Sequence, residues 1–342
     1  MRPELATVIA NVGMDQFDVY TYNTWVVAQK FFNFCMHGSF DGIGQFYMNS
    51  RYHDWSIAHE VRLVLERRAN RTMSDKKTID NFLRDFSCII ITGCSSGIGR
   101  ALLTRIENSD TPALVFNLSR TEPETISKDL KFTHLTCDLS QPTEIQEVVS
   151  RLQNLIPRTG RILLVNNSGF GAYGEFPAPD LNHTLKMIEV NVSAPVQLTG
   201  LLWDRLKSQG GQVANIASLA GYQPTPLIST YAATKAFLLH WSIALDAESK
   251  KYGVRCVAIC PGPVSTNFSK AAGLNGPTGL GGQSAEICAE EALKSMALNR
   301  PHWITGWKNR WLGFFSARLP KAWAAAIGLR MIQKLKLDRF RH

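Results

Sequence analysis

A tyrosine and a lysine four positions apart have the clearest catalytic potential in this 342-residue chain. Tyr231 and Lys235 lie in STYAATKAFLLHWSIALDAESKK, whose periodicity is helical, so both side chains share one face. An ammonium beside a phenol lowers the phenol's pKa from ~10, which suits general acid–base work near neutral pH. Ser218 ends an apolar run and can hydrogen-bond a carbonyl or alkoxide oxygen. A surface Tyr–Lys contact is the alternative interpretation of this pair alone.

Short apolar runs rich in β-branched residues alternate with helix-length segments between residues 86 and 300. Strands buried on both faces have continuous apolar sequences, and strands that alternate with helices form parallel sheets. We therefore predict an α/β fold, a Rossmann-type doubly wound parallel sheet. The predicted strands are 88–92, 113–118, 132–137, 161–165, 212–217 and 254–260.

A glycine-rich turn links the first predicted strand to the next helix. Glycines permit a tight turn and close approach to a pyrophosphate, and the helix N-terminus supplies free N–H groups. The flanking strand and helix make this signal stronger than an isolated glycine motif. The candidate phosphate-binding residues are Gly93, Ser95, Ser96, Gly97, Ile98 and Gly99.

The end of the second strand predicts which nicotinamide nucleotide is preferred. An acidic residue there binds the ribose of NAD, whereas a basic residue accepts the 2′-phosphate of NADP. The sequence has Ser119 and Arg120 and no acid. This favours NADP(H), with NAD(H) less favoured; a solvated loop arginine is the alternative interpretation of Arg120.

Further polar residues follow the third and fourth strands, where open α/β sheets bind ligands. Asn191 interrupts the apolar pattern of the helical segment 181–206. These positions add candidates for cofactor binding, namely Asp138, Leu139, Asn166, Ser168 and Gly169.

Taken in chain order, these motifs resemble the short-chain dehydrogenase/reductase family, in the branch whose glycine motif reads TGxxxGIG. The resemblance covers about residues 86–305, and Ser168 departs from it because the family usually has alanine there. The matching motifs are TGCSSGIG at 92–99, Asp138, NNSG at 166–169, Asn191, Ser218, YAATK at 231–235 and PGPVST at 261–266.

The resemblance implies a role for each motif. Tyr231 is the expected acid/base, Lys235 lowers its pKa and binds the nicotinamide ribose, Ser218 orients the substrate oxygen, and Asn191 holds a relay water. Asp138 would contact the adenine. The loop holding the nicotinamide carboxamide would consist of Pro261, Gly262, Val264 and Thr266.

The implied reaction is hydride transfer between the nicotinamide and a carbonyl or alcohol carbon. The glycine-rich segment 265–285 occupies the family's substrate-lid region, which suggests a lipophilic substrate such as a steroid, retinoid or 3-oxoacyl thioester. A plain surface loop is the alternative for that segment. The alternative function is a structural or cofactor-sensing subunit of a larger membrane-associated assembly.

Three regions are expected: an N-terminal extension of unknown role at 1–85, the catalytic domain at 86–305, and a basic aromatic tail at 306–342. The extension could pack on the core, bridge subunits of a homo-oligomer, or dock onto a larger complex.

The net charge of +9 is concentrated in the tail, because residues 301–342 carry nine Lys/Arg against one acid. No nucleic-acid-binding motif accompanies this charge, so nucleic acid is not an expected partner. The tail also holds four of the eight tryptophans, and 320–337 has a basic amphipathic pattern. That pattern fits a helix in a membrane interface, although a helix over the substrate cleft or at a subunit contact remains open.

The remaining composition narrows the class of protein and its compartment. A hydrophobic fraction of 45% excludes a disordered chain, and no stretch approaches the ~18 apolar residues of a membrane span. Seven cysteines without a CxxC pair, together with eight histidines without ligand spacing, predict neither disulfides nor a metal site. With no signal-peptide pattern, we expect an intracellular, reducing compartment and a soluble or peripheral membrane protein, not a secreted one.

Overall fold

The computed structural model describes residues 74–266 and 282–334, all within one compact unit, Asn70–His342. Residues 267–281 of the predicted lid, the extension up to residue 73 and the last eight residues of the tail lie outside the described residues.

Nine strands and ten helices are numbered in chain order within this described part. The strands are β1 (Phe86–Thr92), β2 (Leu114–Ser119), β3 (Phe132–Thr136), β4 (Arg161–Asn166), β5 (Gly211–Ile216), β6 (Val254–Cys260), β7 (Val264–Ser265), β8 (Gln283–Ser284) and β9 (His302–Ile304). The helices are α1 (74–84), α2 (Gly97–Glu107), α3 (Pro142–Leu155), α4 (Leu181–Ile188), α5 (Ala194–Leu201), α6 (Trp203–Gln209), α7 (Ser229–Ser249), α8 (Ala285–Ala297), α9 (Trp307–Arg318) and α10 (Lys321–Lys334). A π-helical turn, Glu189–Ser193, joins α4 to α5, and short 3-10 turns are Leu219–Tyr222 and Lys250–Tyr252.

Seven strands form one parallel sheet in the order β3-β2-β1-β4-β5-β6-β9. The strand order reverses beside β1, where its neighbours are β2 and β4, and ligands of such sheets bind at this switch point. The predicted Rossmann-type fold is confirmed, and all six predicted strands are present. The short edge strand β9 was not predicted.

Alternation along β1 divides the core into two layers, because successive side chains point to opposite faces. Ile89 and Ile91 pack in one layer with α2 and α8, whereas Cys88 and Ile90 pack in the other with α3 and α5. Every position from Cys88 to Ile91 is fully buried, which explains the continuous apolar run.

Helix α1 belongs to the segment that the sequence assigned to the N-terminal extension. Its Ile79 and Leu83 are fully buried in the layer formed with α2 and β1. The last part of the extension therefore packs as an integral element of the same core.

Two further findings concern the compartment and the membrane. The six cysteines among the described residues are free and buried. No helix in the described ranges is both long and apolar enough to cross a membrane.

Candidate active site

The glycine-rich turn leaves β1 at the carboxyl edge of the sheet and begins α2. Gly93 has a φ of +74°, a conformation that side chains rarely adopt. A Cβ on Gly99 would overlap the carbonyl oxygen of Gly93, so the turn closes this tightly only with glycine there. Ser95 and Ser96 remain exposed at the N-terminus of α2, whereas Ile98 packs toward the core. This arrangement fits a phosphate group.

Residues that sequence reasoning missed hold this turn in place. The side-chain oxygen of Asn117, in β2, accepts a hydrogen bond from the Cys94 N–H at 3.1 Å. The Asn167 amide donates to the carbonyls of Thr92 (2.9 Å) and Gly93 (3.1 Å). The Thr92 hydroxyl accepts from the N–H of Asn167 (2.9 Å) and of Ser168 (2.8 Å). Polar residues at the ends of apolar strands were the available signal.

Ser119 and Arg120 lie where the sequence predicts cofactor selection. The Ser119 hydroxyl already donates to the Thr121 carbonyl (2.8 Å) and accepts from the Asn117 amide (2.9 Å). The side chain of Arg120 is exposed and is therefore the better placed of the two to contact a cofactor phosphate. Asp138 lies near Arg120. Burial alone would raise the pKa of Asp138, but hydrogen bonds from Ser140 and the Arg120 charge hold it below its usual value.

Two other predicted cofactor residues turn their side chains into the protein. The Asn166 amide is buried and donates to the Asn215 side-chain oxygen at 2.7 Å. Leu139 is buried in the core layer that contains α3. For both residues, the prediction of cofactor binding therefore rests on the main chain.

The predicted catalytic residues come together where β5 ends and α7 begins. Tyr231 shares a side-chain hydrogen bond with Ser218. Lys235 is buried, its Nζ donates to the Ile216 carbonyl at 2.7 Å, and this Nζ lies 5.9 Å from the centre of the Tyr231 ring. The pair is therefore an internal cluster and not a surface contact.

The electrostatics of this pair differ from the sequence-based expectation. Burial raises the pKa of Tyr231 to about 12, although the Ser218 hydrogen bond opposes this change. Burial also lowers the pKa of Lys235 to about 8. The pKa of the tyrosine is thus raised, opposite to the expected depression by lysine, because desolvation of the phenolate dominates.

Asn191 lies at the centre of the π-helical turn and is fully buried. Its amide donates to the Phe170 carbonyl (2.9 Å) and the Thr234 hydroxyl (3.1 Å), and its oxygen accepts from the Phe170 N–H (3.1 Å). The Thr234 hydroxyl in turn donates to the Tyr231 carbonyl at 2.7 Å. Asn191 thus connects the strand-β4 loop to the catalytic helix, and its relay water stays a prediction.

Gly169 leaves a cradle beside the catalytic residues. A Cβ at this exposed glycine would lie 3.0 Å from the Asn191 side-chain oxygen and 3.1 Å from the Lys235 Nζ. Such contacts are closer than ordinary van der Waals distance. The cradle is therefore open only because residue 169 lacks a side chain.

The loop after β6 completes the site on its other side. The Pro261 carbonyl accepts from the Leu219 N–H at 2.8 Å, directly after Ser218, and a Cβ on Gly262 would overlap the Asn309 side chain of α9. Val264 lies in β7. The Thr266 methyl would lie 3.4 Å from a Cβ on Gly97, so this loop approaches the glycine-rich turn.

These features fit a dinucleotide: a phosphate-binding turn, an arginine beside it, a cradle next to a lysine, and a tyrosine at the edge. The fold and the site define a nicotinamide-dependent oxidoreductase. The family model for short chain dehydrogenase matches residues 87–275, and the chain belongs to that family.

Individual proteins also resemble part of the chain. Very-long-chain 3-oxoacyl-CoA reductase-B of Danio rerio is 28% identical over 231 residues, or 64% of this chain and 73% of that protein. Estradiol 17-beta-dehydrogenase 2 of Rattus norvegicus is 28% identical over 191 residues, or 54% and 50%. A short-chain dehydrogenase from Sphingobium yanoikuyae in complex with NADPH has 25% identity and a TM-score of 0.59, covering 68% of this chain and 93% of its own. These relatives support an enzyme acting on carbonyl or alcohol groups.

Proposed function

We propose that this protein is an NADP(H)-dependent reductase of a lipophilic ketone, with a 3-oxoacyl thioester or a steroid as the substrate class. The observation that carries the proposal is the cluster of Ser218, Tyr231 and Lys235 beside the Gly169 cradle. The substrate class is supported by the two relatives named above, a 3-oxoacyl-CoA reductase and an estradiol dehydrogenase. Neither relative supports the alternative of a subunit without turnover.

The preference for NADP(H) rests on Arg120. This side chain is exposed beside the end of β2, and its charge reaches Asp138 at the end of β3. A guanidinium donates paired hydrogen bonds to a phosphate, which suits the 2′-phosphate of NADP(H). The similar structure from Sphingobium yanoikuyae contains NADPH, which supports a nicotinamide cofactor at this site.

Each part of the site has a defined task in this reaction. The nicotinamide, when bound, supplies the hydride. The N–H groups at the start of α2 would hold the pyrophosphate, Lys235 would hold the ribose, and the Pro261–Val264 main chain would hold the carboxamide. Ser218 hydrogen-bonds the substrate oxygen, and Tyr231 donates its proton to that oxygen as negative charge develops.

The raised pKa of Tyr231 fits the role of a proton donor. With a pKa of about 12, the phenol keeps its proton at neutral pH and is ready to donate it. An alkoxide is a stronger base than a phenolate, so the transfer to the reduced substrate is downhill.

The buried free thiols bear on where the enzyme works. Cysteines that are unpaired and enclosed in a core behave as small apolar residues and are typical of reducing compartments. We accordingly infer an intracellular, reducing location.

Tyr231→Phe tests the catalytic assignment. We expect this variant to bind NADPH like the wild type, measured by fluorescence titration, and to lose about 10²–10⁴-fold in NADPH oxidation with long-chain 3-oxoacyl thioesters or ketosteroids. Unchanged turnover would contradict the proposed role of the phenol.

Arg120→Ala tests cofactor choice. Loss of a charge-assisted hydrogen bond costs about 1.5–3 kcal/mol, so the KM for NADPH should rise roughly 10- to 100-fold while that for NADH stays unchanged. Arg158→Ala is the matched control, because Arg158 is an exposed arginine before β4, at the opposite edge of the sheet. An equal effect on both cofactors would remove Arg120 from phosphate recognition.

A further inference from the structure

Helix α9 presents large apolar side chains to solvent. Trp307, Trp311 and Phe315 are 57%, 59% and 59% exposed, and Phe314 is 46% exposed. Their spacing places them on one face of the helix. The rings of Trp311, Phe314 and Phe315 also contact one another, with centroids 5.5–6.2 Å apart, so they form a continuous aromatic patch.

The opposite face of α9 carries the small residues and packs on the protein. Gly313 and Ser316 are buried. A Cβ on Gly313 would come within 2.5 Å of the Ile304 side chain and 3.2 Å of the Leu219 side chain. This is the reverse of an ordinary surface helix, in which the large apolar side chains face the core.

Helix α10 repeats this arrangement. Trp323 is 67% exposed and Ile327, one turn later, is 43% exposed, whereas Ala324 is buried. Together the two helices and the two residues that join them contribute eight of the large apolar side chains that are exposed within the described residues. They are Trp307, Trp311, Leu312, Phe314, Phe315, Leu319, Trp323 and Ile327.

Basic residues lie among these aromatic residues, and residues 307–334 contain no acid. Arg310 is paired with Glu291 at 3.0 Å. Arg318 is exposed and lies over the Phe314 ring at 3.5 Å, and Arg330 is exposed on α10. The surface of these helices is therefore both apolar and cationic.

We propose that the exposed faces of α9 and α10 bind a lipid bilayer with anionic headgroups. Tryptophan and phenylalanine interleaved with lysine and arginine are the composition of helices that lie in the membrane interface. Basic side chains near a surface of anionic lipids add electrostatic attraction to this apolar contact. The outer face of the helices thus carries the aromatic and basic side chains that a bilayer interface accommodates, whereas the inner face carries small residues that pack on the protein.

The position of α9 places this surface beside the active site. Its inner face contacts Gly262, in the predicted nicotinamide loop, and Leu219, which follows Ser218. The same helix thus separates the catalytic loop from the proposed membrane by its own thickness. This inference stands without the proposed reaction, since lipid binding is measured without substrate.

The test is flotation of the full chain with vesicles of phosphatidylcholine alone or mixed with phosphatidylserine. The wild type should float with the mixed vesicles, and added salt should reduce this binding. Trp311→Ala with Phe315→Ala should lower the partition coefficient by about 10-fold or more, because two apolar side chains lose their burial in lipid. Arg318→Gln should lower it about 5-fold.

Two controls make the result specific. Leu155→Ala with Tyr252→Ala removes apolar side chains that are 48% and 45% exposed elsewhere and should leave flotation unchanged. Trp311→Phe should reduce fluorescence quenching by brominated lipids while binding persists. Thermal melts check that each variant is folded.

Three results would overturn the proposal. One is wild-type protein that floats with neither vesicle. Another is equal flotation of wild type and the folded Trp311→Ala/Phe315→Ala variant. The third is a change in subunit number in that variant without a change in lipid binding, which would assign the face to a protein contact.

Discussion

Replacing Gly169 by alanine should disable the site while leaving the fold intact. Gly169 is exposed and is not among the glycines with positive φ, so its backbone accepts alanine. The new methyl group, however, would lie 3.0 Å from the Asn191 oxygen and 3.1 Å from the Lys235 Nζ. One of these two neighbours must move by a few tenths of an ångström.

Neither neighbour moves freely. Lys235 is held by its 2.7 Å hydrogen bond to the Ile216 carbonyl, and Asn191 by three hydrogen bonds. Weakening one such bond costs about 1–3 kcal/mol, which lowers the melting temperature by a few degrees. The methyl group also fills the predicted ribose cradle and would displace the cofactor there, and a misplacement of reacting groups by ~1 Å costs about 100-fold. We expect kcat/KM to fall roughly 100-fold.

Gly200→Ala is the matched control. Gly200 lies in α5, and no atom lies within 4 Å of the position that a Cβ would take there. Alanine should therefore stabilise the helix by about 0.5–1 kcal/mol and leave the kinetics unchanged. The assays are steady-state NADPH oxidation and thermal unfolding of both variants. Full activity of folded Gly169→Ala would refute the cradle.

Two further predictions concern stability. Asp246 is buried against Arg255 (2.7 Å) and Lys250 (3.2 Å), so Asp246→Ala should cost about 3–5 kcal/mol in denaturant unfolding, whereas the exposed Asp204→Ala should cost under ~0.5. Burial would raise the pKa of Asp246, but the hydrogen bonds that its carboxylate accepts lower it below its usual value. The stabilisation is therefore lost as the pH falls through this lowered pKa of the folded state. The pKa of Lys235 is lowered from 10.5 to about 8, so the contribution of Lys235 to stability should rise from pH 8 to 10.5, whereas buried thiols such as Cys256, whose pKa is raised from 9.0 to about 12, act in the opposite direction. The free energy of unfolding of the wild type minus that of Lys235→Met should therefore increase over this range, and a constant difference would show that Lys235 makes no such contribution.

Those parts of the site that depend on local sequence could be predicted. Tyr231 and Lys235 meet because about four helical residues make one turn. Gly93 and Gly99 meet because the glycine-rich turn leads directly from a strand into a helix. Asn117 and Asn167 were missed because they reach the glycine-rich turn across 23 and 75 residues, which only the strand order brings together. Sequence alone does not give that order.

Desolvation is a second property that sequence motifs do not carry. A lysine one turn from a tyrosine predicts a lowered phenol pKa only if the attraction between the two charges outweighs the cost of burying them. In the structure Lys235 donates to the Ile216 carbonyl and is almost completely buried, so both groups are pushed toward their neutral forms. Spacing predicts which groups meet, whereas packing decides their charges.

In helix α9, too, the sequence pattern does not show which side chains are buried. The spacing of Trp307, Trp311 and Phe314 defines one face of a helix, but a period is the same whether that face points inward or outward. Gly313 and Ser316 decide the direction, since only small residues let the helix approach Ile304 and Leu219 closely. Large aromatic residues opposite a buried small-residue face must point away from the core. A lipid surface can then cover them without displacing any contact that positions the catalytic loop.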